Sequence, residues 1–235
     1  MSRRDTPPTT APGPRRRLGV IVVDALPVVR AGLRALIEER PDLEVLGIAG
    51  NATSALEGIA KVRRSRVTVL VGLGLTGEHD AFWLIRTVRE RFPGHAVLAV
   101  GANADPAVVS RALFVGADGF VDKNVEPAAF VDAIHRVAER EMVLAGPATG
   151  TVGQIAMGIE ARRDLEARLT DRERQVLSVA AEGLTAREIA DRLGVRERTI
   201  TTHLARIYGK LGVGNRLAAI QTATRTGIVT VGAAE

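Results

Sequence analysis

Cysteine is absent from the 235 residues, which excludes disulfides, thiol catalysis and cysteine-built zinc sites. Aromatics are scarce: five Phe, one Trp and one Tyr, so Trp83 and Tyr208 are expected in core or dimer contacts rather than as base-stacking platforms. No run of eighteen apolar residues exists, so no transmembrane helix is expected. The opening stretch MSRRDTPPTTAPGPRRR has charge but no apolar segment of the signal-peptide kind. A cytoplasmic protein without membrane association follows as the expectation. His79, His95, His135 and His203 show no metal-ligand spacing, and no nucleophile–base pair stands out, so neither an enzyme nor a bound metal or cofactor is expected. GLGLTG (72–77) has a glycine rhythm and reads as a loop. What is present is an apolar fraction of 46%, enough for a substantial core, on a chain long enough for two domains.

Charge is unevenly spread. Residues 1–17 carry five Arg and one Asp, residues 18–145 carry 14 basic and 16 acidic groups, and residues 146–159 carry none. Within 193–225, six basic residues face the single acid Glu197. Such a stripe suits a polyanion such as nucleic acid, or a solvated helix face, and charge alone does not choose.

Four of the ten prolines lie in residues 1–17, and that composition predicts a disordered basic tail. From Leu18 apolar runs alternate with amphipathic stretches. LGVIVVD (18–24), LEVLGIA (43–49), VTVLVG (67–72), HAVLAVG (95–101) and GFVD (119–122) read as buried strands. Helices are expected near 27–40, 52–64, 81–91, from Asp105-Pro106, and over 127–140. Five β-then-α units predict a doubly wound α/β domain with a five-stranded parallel sheet over 18–145. GPATGTVGQIAMG, within a segment 146–164, reads as a linker with at most a short helical turn. An all-α, four-helix domain is expected over 165–235. Thr170–Glu173 and Thr185–Glu188 are capping boxes, Gly194 and Gly227 are stops, and Asn215 is a cap. Its helices fall near 171–182, 186–193, 197–210 and 216–226.

EIADRLGVRERTITTHLARIYGKL (188–211) has the form of a helix-turn-helix, a short helix and a longer one joined through Gly194. On a helical wheel Ile200, Leu204, Ile207 and Leu211 share one stripe that must face a core. The opposite face carries Thr202, Ala205 and Arg206, with Thr201 at its edge. Small polar residues and one Arg suit entry into a major groove, and Arg196, Arg198, Lys210 and Arg216 stand at the ends, where phosphates would run. The other reading is a plain helical domain with a polar face.

The stretch 169–220, with LT-x-RE, EGLT-x-x-EIA, RLGV, TI-x-TH-L, KLGV and NR, resembles without gaps the LuxR-type helix-turn-helix of NarL/FixJ-family response regulators. The resemblance implies a sequence-specific transcription regulator acting on double-stranded DNA, with Thr201, Thr202 and Ala205 where relatives contact bases. A homodimer is expected because a single short recognition helix alone gives weak affinity. Thr201 is a departure, because relatives often carry Lys there. Residues 18–145 resemble the receiver domain of the same family, through VVDALPVVRAGLRALIEERPDLEVLGIA (22–49) and GADGFVDKNVEPAAFVDAI (116–134). A working receiver implies two adjacent acids that hold Mg²⁺, a phosphoacceptor Asp, a Ser or Thr, and a Lys. This chain has Asp24 followed by Ala25, Gly72 at the acceptor position, Gly101 for the Ser/Thr, and Lys123 with the aromatic Phe120. Three of five working positions are lost, and an Asp24–Lys123 ion pair filling a vestigial pocket is expected. Control by a small-molecule or protein ligand, or no signal beyond constitutive dimerisation, stay open. So does a role as a non-DNA module in which the receiver-like domain titrates a partner.

Overall fold

The computed structural model describes residues 17–102, 105–147 and 149–229. The tail expected over 1–17 lies outside them, apart from Arg17. Strands β1 (Leu18–Val23), β2 (Leu43–Ala49), β3 (Thr68–Gly72), β4 (Ala96–Gly101) and β5 (Gly119–Asp122) fall where the apolar runs predict. They pair in parallel in the order β2-β1-β3-β4-β5. A sixth strand, β6 (Val143–Ala145), adds to β5, so the sheet has six strands rather than the expected five. Three residues carry too little alternation for a strand to be read, and pairing with an already formed edge defines this one.

Side chains alternate across the sheet with period two. Val20, Val22, Leu70, Leu98 and Val121 face α1 (Pro27–Glu38) and α5 (Pro127–Ala138) through Ile37, Phe130 and Ile134. Ile21, Val23, Val69, Val71, Val97 and Phe120 face α2 (Ala52–Lys61), α3 (Ala81–Arg91) and α4 (Pro106–Phe114). Each such Val or Leu, fully buried, contributes about 1.5–3 kcal/mol. Asp105 caps α4 at the backbone N–H of Ala107, with Pro106 at the first helical position, as expected.

The segment 146–164 is mostly helical rather than a single short turn. Thr149–Ala167 forms α6, a helix of 19 residues. Its glycines each cost about 1 kcal/mol relative to Ala, and isolated sequence reasoning stops there. Packing on α4 reverses the outcome. Ile155 is buried among Val109 and Ala112, and Arg162 donates to Ser110 Oγ at 2.7 Å and to Ala107 O at 3.1 Å. A β-carbon on Gly158 would lie 2.6 Å from Ser110 Oγ, so glycine is what permits this approach.

Helices α7 (Asp171–Ala181), α8 (Ala186–Leu193), α9 (Glu197–Leu211) and α10 (Arg216–Thr226) build a second core around Val176, Ile189, Ile200, Ile207 and Ala219. Both capping boxes are formed, and Gly194, Gly212 and Gly227 end their helices at positive φ (64°, 67° and 79°), where a side chain would be strained. The Gly227 carbonyl accepts from Arg86 of α3, which ties the end of α10 to the first domain. No helix among the described residues is long and apolar enough to cross a membrane.

Candidate nucleic-acid interface and the pocket at the strand ends

Helix α9 turns the expected stripe inward: Ile200, Leu204, Ile207 and Leu211 are all buried. Thr201, Thr202, Ala205 and Arg206 are exposed on the other side, with Arg196 and Arg198 exposed at its start. The two threonines are not free rotors. Thr201 Oγ1 donates to Glu197 O at 3.2 Å and Thr202 Oγ1 to Arg198 O at 2.9 Å, one turn back along the helix. With each hydroxyl hydrogen held by the backbone, what faces outward is an acceptor lone pair and a methyl group. That pairing suits an exocyclic amine of adenine or cytosine, or a thymine methyl, in a major groove.

Two of the residues expected at phosphates, Lys210 and Arg216, also make contacts within the domain. Lys210 donates to Glu173 Oε2 at 2.6 Å, a carboxylate buried at the start of α7. Burial by itself would raise the Glu173 pKa. The hydrogen bonds from Lys210 and from the Thr170 N–H and hydroxyl overcome this and bring it down to about 2. Arg216 is half-buried and donates to Ala180 O at 2.7 Å and to Leu184 O. Both cations therefore join helices of the domain, α9 to α7 and α10 to the α7–α8 turn. A position at a helix end does not show which neighbouring element a cation reaches. Glu173 was legible as a capping-box residue, but its link to Lys210, 37 positions away, had no local signal.

At the carboxyl ends of β1, β3, β4 and β5 the structure brings together Asp24, Ala25, Gly72, Gly101, Phe120 and Lys123. Asp24 is 3% exposed. Its Oδ2 accepts from Lys123 Nζ at 2.6 Å and its Oδ1 from the Leu26 N–H at 2.9 Å. The expected ion pair is present. A β-carbon built on Gly72 would lie 2.2 Å from Asp24 Oδ2, so the Asp24 carboxylate stands in the volume a side chain at 72 would need. A β-carbon on Gly101 would lie 2.8 Å from Phe120 Cε2, and Phe120 is fully buried. Each glycine's space is filled by a neighbour. Arg30, which sequence reading did not single out, closes the edge by donating to Asp24 O at 2.7 Å and Ala25 O at 2.9 Å. Mg²⁺ takes carboxylates and water in near-octahedral geometry. Here Asp24 is committed to an ammonium and an amide, and Ala25 has no oxygen in its side chain to offer. These residues do not fit that metal.

An α/β domain with a buried Asp24–Lys123 pair at its strand ends, followed by a four-helix domain with an exposed helix face, has the build of a receiver joined to a helix-turn-helix module. Comparison with known proteins agrees. Residues 20–135 match the family "Response regulator receiver domain", and residues 167–223 match "Bacterial regulatory proteins, luxR family". The chain is 31% identical over 205 residues to the DNA-binding transcriptional activator DevR/DosR of Mycobacterium tuberculosis, covering 87% of this chain and 93% of that one. It is 30% identical over 204 residues to the nitrate/nitrite response regulator NarL of Escherichia coli K12, covering 85% and 92%. Among solved structures, RcsB from Salmonella enterica serovar Typhimurium bound to promoter P1flhDC in the presence of the phosphomimetic BeF3− is similar. Its TM-score is 0.52 at 25% identity, with 89% of this chain and 99% of that one covered. The chain belongs to the response-regulator family, in its NarL/DevR/UhpA-type branch with a luxR-type helix-turn-helix.

Proposed function

We propose that this protein is a sequence-specific transcription regulator that binds double-stranded DNA as a homodimer, and that aspartyl phosphorylation does not control its receiver-like domain. DNA reading is supported by the outward face of α9, and by relatives named as a DNA-binding transcriptional activator and as a promoter-bound regulator. Dimerisation follows from the size of one recognition helix, whose few contacts give little affinity unless two half-sites are engaged. Leu217 on α10, 67% exposed, is a candidate contact between protomers.

The observation that carries the second part is the position of Asp24. Transfer of a phosphoryl group to a receiver requires a carboxylate at the end of the third strand and a metal to neutralise charge on the transferred group. Gly72 supplies no carboxylate. The Asp24 oxygen beside it is buried and already holds Lys123.

Sites selected from random DNA by the full chain should share one sequence with two half-sites about one helical turn apart. Acetyl phosphate with Mg²⁺ should alter neither that selection nor the intact mass. A phosphoryl adduct of about 80 daltons mapped to the first domain would overturn the phosphorylation-independent reading. Loss of sequence preference would overturn the DNA-binding one.

A further inference from the structure

A cavity of about 540 Å³ opens at the amino-terminal edge of the sheet, at the opposite end of the strands from Asp24 and Lys123. Arg17 lines it from just before β1, Arg64 and Arg66 from the α2–β3 loop, and Arg140 from beyond α5. Their charges are not equally compensated. Arg64 is bound to Glu44 at 2.5 Å. Arg140 is braced by the carbonyls of Pro93, Gly94 and His95, with Asp118 at 3.5 Å. His135 stands 3.2 Å from Asp42. Arg66 donates once, to Ala138 O at 2.9 Å, and the Arg17 guanidinium donates to no described residue. Two guanidiniums therefore face the cavity with spare donors, and Glu139 is the one lining carboxylate without a described cationic partner.

A second, independent feature lies in the same wall. Thr68 of β3 is fully buried, lines the cavity, and its hydroxyl has no hydrogen-bond partner. A buried hydroxyl is costly unless paired, and the great majority are paired. A polar atom of that kind beside spare guanidinium donors defines a place where a ligand with both acceptors and a hydroxyl gains hydrogen bonds that the protein alone does not make. The volume lies in the range of small-molecule sites. Asp42 and Glu139 lie among the cations, an arrangement that opposes a continuous polyanion such as a nucleic-acid backbone and favours a compact ligand.

We infer that this cavity binds a small phosphorylated molecule of nucleotide size, with phosphate oxygens on Arg17 and Arg66 and a hydroxyl of the ligand on Thr68. Guanidinium groups suit phosphate because their fork of donors matches two oxygens at once. The site lies on the first domain and uses none of the residues assigned above to DNA or to the Asp24 pocket.

The test is calorimetric titration and thermal melting of the full chain with ADP, pyrophosphate and adenosine. ADP should bind saturably and raise Tm, pyrophosphate should do so more weakly, and adenosine should do neither. Equal responses to ADP and pyrophosphate would overturn a ligand of nucleotide size with its hydroxyl on Thr68. Arg66→Gln should weaken ADP at least tenfold while leaving DNA affinity without ADP unchanged. Thr68→Val should act with opposite signs, raising Tm of the ligand-free protein because an unpaired hydroxyl is gone, and weakening ADP. No saturable response to ADP or pyrophosphate overturns the inference, and so does adenosine binding as tight as ADP. A response to ADP that Arg66→Gln leaves intact overturns it too, since the anion then sits elsewhere, such as beside the arginines of α9.

Discussion

The outer face of α9 and the strand-end pocket meet opposite fates in one chain. On α9 the small residues leave room: Ala205 and the two threonines keep the surface low, and Arg206 projects from it. At the strand ends, the small residues Gly72 and Gly101 also leave room, but Asp24 and Phe120 occupy it. The same substitution toward small side chains opens a surface when its neighbours are solvent, and closes a pocket when its neighbours are side chains of a packed core. Small residues therefore carry no functional meaning until their surroundings are known.

The largest effect expected from breaking this contrast is at Lys123. Lys123→Met leaves Asp24 buried with only an amide partner, and loss of one member of a buried pair costs about 3–5 kcal/mol. Urea unfolding should register it, and Asp24→Asn/Lys123→Met together should recover much of the loss. A double variant as unstable as the single one would show that the pair is not what matters there.

Next is the pair that joins Lys210 to Glu173. The Glu173 pKa is depressed to about 2, so its contribution is fully present above the ordinary carboxylate range near 4.5 and is lost as pH falls toward 2. Lys210→Met should remove on the order of 2–3 kcal/mol at pH 7 and flatten the loss of stability between about pH 4.5 and 2. DNA affinity of the folded variant should keep its salt dependence. A salt slope lowered by about one phosphate would return Lys210 to the DNA interface.

Gly72→Asp restores the acceptor's chemistry in a space already taken. Overpacking against Asp24, with two carboxylates in contact, should cost about 1–3 kcal/mol without enabling phosphorylation. Unfolding measured beside intact mass after acetyl phosphate decides both points. On the open side of the comparison, Arg206→Ala and Thr202→Ala should each weaken the preferred DNA site by about 1–3 kcal/mol and relax its sequence, with stability nearly unchanged. Arg198→Ala should have the smallest effect, weakening all sequences alike and lowering the salt slope by about 0.9. A gel-shift series across salt distinguishes these two outcomes.

Strand positions, the capping boxes at Thr170 and Thr185, the glycine stops and the buried stripe of α9 were legible because each depends on residues within a turn or on a short period. The Asp24–Lys123 pair was legible for another reason: the receiver resemblance places those two residues at one sheet edge although they are 99 positions apart. Helix α6 was not legible, since its glycines argue against a helix and its support comes from Ser110 and Val109 on α4. Strand β6 was missed because three residues hold no period.

From sequence alone came the two-domain division, the parallel sheet, the helix-turn-helix and its outward face, because hydrophobic periodicity and local capping decide these without reference to distant residues. Tertiary structure alone decided that Lys210 and Arg216 brace helices of their own domain, and that Asp24 stands in the space beside Gly72. It also decided that four arginines from three separate segments enclose one cavity. A cation's role depends on which oxygen lies within about 3 Å of it, and chains bring such oxygens from anywhere in the sequence.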